Sequence, residues 1–246
     1  MRIAFSGTGN SGKTTLVKNF LAVWPNYKQP EKTYRDILKE SGTKHSKNTT
    51  VETQWSILNF MVAQLQGTTS SDNIVLDRCP LDNLVYTLWA YEKKVEGFDD
   101  EFTTKCINIV KETMRSLAII FLCRYDDSIL IENDGVRETD VEYIKEIDNI
   151  YGSLLEQYRQ NYDADIFFPV NDSPGFIELP TTIQGRIDEI AQYIAPTGDL
   201  VEEESILNPN NLAMLEELVK AQEGILNSDR REKELMQKFG LNTHGR

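Results

Sequence analysis

Cysteine is scarce. Cys79, Cys106 and Cys123 form an odd set with no C-x-x-C spacing, which argues against a disulfide framework and against a zinc site. They read as core thiols in a reducing compartment. Long apolar runs are missing too: none approaches the roughly 20 residues that cross a bilayer, and the chain enters a strand pattern within two residues, without a signal-like apolar segment. The expectation is a cytoplasmic protein with no membrane partner. Positive charge is the third shortage, with 26 Lys and Arg against 39 Asp and Glu and a formal net charge of −13. Nucleic-acid backbones are held chiefly by clustered Lys and Arg, so the balance argues against nucleic acid as a partner. No internal repeat or low-complexity segment stands out.

What is present is an alternation of strand and helix patterns. Residues 2–6 read as a buried strand, and Leu16, Val17, Phe20, Leu21 and Trp24 then recur at helical spacing. A Pro-punctuated link leads to a short helix in "TYRDILKE". A longer helix follows in "TTVETQWSILNFMVAQL", where Trp55, Leu58, Met61, Val62 and Leu65 form one stripe that reads as core. "NIVLD" is a short apolar run suited to a central parallel strand. Pro80 then fits the first turn of a helix, where its missing N–H does no harm. Further on come a helix in "DEFTTKCINIVKETMRS", a strand in "LAIIFLC", a helix from Val141, a strand in "FIELP" and a helix from Ile183. "DADIFFPV" is left open between a short strand and an insertion. The alternation predicts an α/β fold with a mostly parallel, doubly wound sheet and ligands at the carboxyl ends of its strands.

At "APTGDLVEEES" a Pro/Gly break runs into acidic residues and reads as a linker. The expected division is a nucleotide-binding domain over 1–195 and an acidic helical extension over 196–246. That extension can pack on its own domain, pair with a second copy in a homodimer, or lie free.

The chemistry concentrates in "GTGNSGKTT". Gly7, Gly12, Lys13 and Thr14 satisfy G-x-x-x-x-G-K-[ST], a pattern that average residue frequencies produce by chance in only about 1% of chains of this length. Its glycines let the backbone N–H groups around Gly9, Asn10, Ser11, Gly12 and Thr15 turn inward on a phosphate, and the following helix presents its positive end. Lys13 is then expected to bridge the β- and γ-phosphates of ATP, and Thr14 to ligate Mg²⁺. Asp77, at the carboxyl end of "NIVLD", is the expected second metal-binding group; the alternative is a cap for the helix near Pro80. Arg78 follows directly, where a hydrolytic ATPase commonly carries a glutamate. Substrate contact and a structural ion pair are both open to it.

"GTGNSGKTT", "LDRCPLD" and "DGVRETD…IDNIYGSLLEQY" together resemble the small P-loop kinases that include nicotinamide ribonucleoside, thymidylate and deoxynucleoside kinases. The resemblance spans roughly residues 1–195 and implies the P-loop NTPase fold. Small ATP-binding proteins of this type are also frequent in tailed phages, for which the host cytoplasm is the implied location. By the same resemblance Glu31 is a general base facing the acceptor, in rivalry with Asp77, and Arg35 orients it or touches substrate. Arg137 is a lid residue closing over the phosphates, and Arg186 flanks the adenine. Asp82 either shares the pocket or lies on a solvated helix face. Two departures stand out: Gly9 and Asn10 occupy positions where ribonucleoside kinases often carry an acid, and the lid has a single arginine.

The expected activity is transfer of the γ-phosphate of ATP to a small acceptor, a nucleoside, nucleotide or nicotinamide riboside. A switch or assembly ATPase recruiting a protein partner is the alternative. A polynucleotide kinase is the third reading, with Lys44, His45 and Lys47 as its one modest basic cluster.

Overall fold

The computed structural model describes residues 1–41, 46–127, 139–161 and 163–201. The calls on Arg137, on Lys44 and His45, and on the extension beyond Val201 lie outside these residues.

Four strands form one parallel sheet: β1 (Arg2–Ser6), β2 (Ile74–Asp77), β3 (Ile119–Cys123) and β4 (Gly175–Leu179), in the order β2-β1-β3-β4. β1 is central, pairing Ile3 with Val75 on one side and with Ile119 on the other. The connecting helices are α1 (Lys13–Val23), α2 (Tyr34–Ser41), α3 (Val51–Gln66), α4 (Pro80–Glu92), α5 (Asp100–Met114), α6 (Val141–Gln160), α7 (Ala164–Phe167) and α8 (Ile183–Ile190). The open segment "DADIFFPV" contains α7, a single turn too short to show a period.

The inner strands β1 and β3 are buried almost throughout because each face has a layer of helices to meet. Ile3, Phe5, Val75, Ile119 and Phe121 pack with Leu16, Val17, Phe20 and Trp24 and with Ile187 and Ile190 on one side. Ala4, Leu76, Ile120, Leu122 and Phe176 pack with Leu58, Leu81, Val110, Tyr143 and Ile147 on the other. The stripe expected on α3 is largely core, with Leu58, Met61 and Leu65 buried. Helix starts follow the sequence: the side chains of Thr50, Asp99, Asp140 and Thr182 each accept a first-turn backbone N–H.

Residues 195–201 fold back on the far end of α1. Ala195 N donates to the Asp199 carbonyl and Gly198 N to the Ala195 carbonyl, closing a turn. Trp24 Nε1 donates to the Ala195 carbonyl, Asn26 to the Thr197 carbonyl and Tyr27 Oη to the Gly198 carbonyl.

Candidate functional site

Between Ser6 at the end of β1 and Lys13 at the start of α1, the chain turns through the glycine loop. Two of its glycines are obligatory. Gly7 has φ 139°, and a Cβ there would lie 2.2 Å from the Cys123 carbonyl oxygen of β3. Gly12, with φ 79°, is the N-cap of α1 and offers no side-chain acceptor to the first-turn N–H groups. Those donors are left for an anion. Gly9, Asn10, Ser11, Thr14 and Thr15 line the resulting cleft with Gly12, Lys13, Arg35 and Arg78.

Lys13 is 5% exposed. Its Nζ donates to the Thr8 carbonyl and, at 2.9 Å, to Ser11 Oγ. Burial, reinforced by the nearby Arg78 guanidinium, lowers its pKa to about 7. Thr14 Oγ1 donates to Asp77 Oδ2 at 2.8 Å, so a hydroxyl and a carboxylate meet at the cleft as a pair of hard oxygen donors. Asp77 does not cap α4. Cys79 is the N-cap, in a capping box with Asp82, because the chain needs one more residue after Arg78 before Pro80 can take the first helical position.

Arg78 has φ 81°, a left-handed backbone that non-glycine residues rarely adopt. Its N–H donates to the Phe5 carbonyl. Its Nη1 donates to the Gly7 carbonyl at 2.9 Å and to Asp82 Oδ1 at 3.0 Å. The guanidinium carbon lies 5.2 Å from the Tyr34 ring centre and 5.4 Å from that of Tyr86. Arg78 thus forms a structural ion pair and also lines the cleft.

Asp82 corrects the solvated-face reading. It is 1% exposed, and its two oxygens accept from Ser6 Oγ, Gly7 N, Arg78 Nη1, Cys79 N and Tyr151 Oη. An ionised carboxylate with that many donors is at home in a core. It ties β1, the glycine loop, the start of α4 and α6 to one point. The C-P-L-D spacing, a capping box with cysteine in the cap position, was the signal that could have found it.

Arg35 reaches the cleft from α2. Its Nε donates to Tyr34 Oη at 3.3 Å. Burial alone would push the Tyr34 phenol up; Arg78 and Arg35 outweigh it and hold its pKa below the usual tyrosine value. Glu31 is exposed in the loop before α2 and is not among the residues lining the cleft. Arg186 is 3% exposed and lies beneath the loop: Nη1 donates to the Ser11 carbonyl and Nε to the Pro180 carbonyl, both at 2.8 Å. Its described partners are loop and turn backbone. Lys47 pairs with Asp140 at 2.5 Å, both partly exposed.

A family model described as an AAA domain matches residues 2–165. Among solved structures, deoxyadenosine kinase from M. mycoides with bound dATP superposes with a TM-score of 0.54 at 20% identity, covering 78% of this chain and 97% of that one. The NadR protein in complex with NR gives a TM-score of 0.54 at 16% identity over 82% of this chain and 53% of the other, so the chain spans about half of NadR. Thymidylate kinase from Candida albicans gives 0.50 at 14% identity, over 78% and 90%. No curated protein matches the chain. These likenesses bear out the expected α/β P-loop fold.

Proposed function

The chain belongs to the AAA-domain family, and on that premise we propose that it is an ATP-dependent phosphotransferase acting on a small acceptor: a nucleoside, a nucleotide or a nicotinamide riboside-like molecule. The observation that carries this reading is the company of Asp77. Its neighbour Arg78 faces the loop cleft, at the position where hydrolysis calls for a carboxylate to polarise water. A guanidinium there favours a phosphoryl group in transit.

In this reading the first-turn amides of α1 and Lys13 hold the triphosphate. Thr14 and Asp77 hold Mg²⁺, whose remaining ligands would come from phosphates and water. The ion, when bound, neutralises charge on the β- and γ-phosphates. Asp82 keeps Arg78 aimed at the transferring group, and Arg186 braces the Ser11 carbonyl so that the loop keeps its shape. Catalysis then rests on positioning and electrostatics, which is the larger part of phosphoryl transfer. The relatives named above include kinases of a deoxynucleoside and of thymidylate, which sets the acceptor classes to be tried.

The test is ADP release from ATP and Mg²⁺ against nucleosides, nucleoside monophosphates, nicotinamide riboside and short oligonucleotides, with Lys13→Ala as the blank. One small acceptor that becomes phosphorylated and raises turnover well above the acceptor-free rate is the expected result. Equal hydrolysis with every acceptor would overturn the proposal.

A further inference from the structure

Two guanidinium groups, those of Arg35 and Arg78, line the same cleft, and one side chain touches both. The ring centre of Tyr34 lies 5.2 Å from the guanidinium carbon of Arg78 and 5.9 Å from that of Arg35. Both fall within the roughly 6 Å over which a cation is drawn to a π-face. The phenol oxygen of Tyr34 also accepts from Arg35 Nε at 3.3 Å, and among the described residues that is the one hydrogen bond Arg35 makes.

Like charges side by side in a partly buried wall repel, and burial adds a desolvation cost. Burial and, less strongly, Arg78 work against the ionised form of Arg35; Tyr34 outweighs both, and the pKa of Arg35 ends above the usual arginine value. Arg78 has its own need of the ring. The Gly7 carbonyl and Asp82 hold it by Nη1, while Nη2 makes a long bond of 3.4 Å to Tyr86 Oη. A guanidinium held so unevenly can still turn about Nη1 unless flat groups pack against it, and the rings of Tyr34 and Tyr86 do so.

Tyr34 is itself built in. Gln64 Nε2, on α3, donates to the Lys32 carbonyl at 2.7 Å. Thr33 N and Oγ1 both donate to Asp36 Oδ2, at 2.8 and 2.9 Å, across the start of α2. The backbone on both sides of Tyr34 is thereby fixed within the protein, as a group that must hold others in place requires.

We infer that Tyr34 is a positioning residue for phosphoryl transfer: its ring sets the orientation of Arg78 and its oxygen holds Arg35 alongside, so that two like charges keep their places on one wall of the cleft. This deepens the phosphotransferase reading and rests on it. Tyr34 acts through the arginines and not on the reacting atoms; without it, Arg78 spends part of its time turned away from the group in transit.

The experiment takes the full-length protein with MgATP and the acceptor that the panel above identifies. Tyr34→Leu, which removes ring and oxygen, should lower kcat about 5- to 30-fold, the fold equivalent of a desolvated cation–π contact. Its ATP dissociation constant, read by titration calorimetry, should stay close to that of the parent. Tyr34→Phe keeps the ring and should keep most of kcat. Whatever Tyr34→Phe does lose should vanish in an Arg35→Met background, and the loss in Tyr34→Leu should shrink, in an Arg78→Ala background, to that of Tyr34→Phe. An equal fall of kcat in Tyr34→Phe and Tyr34→Leu overturns the inference, because the ring then does nothing that the oxygen does not. A loss undiminished in the Arg78→Ala background, or a fall in ATP affinity as large as the fall in kcat, makes Tyr34 a packing residue and overturns it too; the kinase reading stands in each case. If Tyr34→Leu does not fold, the Tyr34→Phe and Arg35→Met pair decides, and additive losses there overturn the inference. Absence of transfer to any acceptor by the parent protein removes the kinase reading and this inference with it.

Discussion

A lysine with a pKa near 7 in the ligand-free protein is a proton switch waiting for an anion. Lys13 sits buried among carbonyl and hydroxyl oxygens, and phosphates arriving beside it favour its charged form. Binding should therefore take up close to one proton at pH 8 to 9, measured by calorimetry in buffers of different ionisation enthalpy. Nucleotide affinity should fall above pH 7 by up to about tenfold per unit. Stability runs the other way. The unfolded lysine titrates near 10.5 and the folded one near 7, so the unfolded state holds more protons between those values and ligand-free stability should rise with pH across that window. Lys13→Met should abolish the rise in a denaturation series. Arg78 stores a different kind of tension, in its left-handed backbone. Arg78→Gly and Arg78→Ala should both lose turnover by about 100-fold or more. The glycine variant should nonetheless melt about 2–4 °C above the alanine variant, since it alone is relieved of about 1 kcal/mol of backbone strain.

At the scale of elements, Asp82 decides how β1, α4 and α6 meet. Asp82→Asn replaces an acceptor by a donor among five donors and leaves Arg78 unpaired in the core, so a loss of about 3–5 kcal/mol is expected in urea unfolding. Tyr151→Phe, which removes one donor, should cost about 1–2 kcal/mol. The same network marks the limit of what the sequence discloses. The inner strands were legible because burial on both faces makes a continuous apolar run, as in Ile119–Cys123. The glycine loop was legible because its chemistry lies within nine consecutive residues. The setting of Arg78 was not: Tyr34, Asp82, Tyr86 and Tyr151 come from three helices, and only folding brings those residues together. α7 escaped for a local reason, since four residues cannot display a helical period.

Across the described residues, one parallel sheet separates two helix layers, and the candidate site occupies the carboxyl edge where β1 passes into α1. The division at residue 195 falls just before the turn that ties back to Trp24, Asn26 and Tyr27. A chain ending at Val201 is expected to be more stable than one ending at Pro196 by about 2 kcal/mol in denaturant titration, because the shorter chain loses the Asn26 and Tyr27 hydrogen bonds and the Ile194–Leu200 bridge. That turn also has a location with practical meaning. α1 carries the chain about 16 Å away from the glycine loop before Trp24 is reached, so Val201, whose turn packs on Trp24, Asn26 and Tyr27, lies at the pole opposite the cleft. In a chain ending at Val201, a fluorophore, a solid support or a second protein joined to that residue would be held behind the domain, away from the cleft.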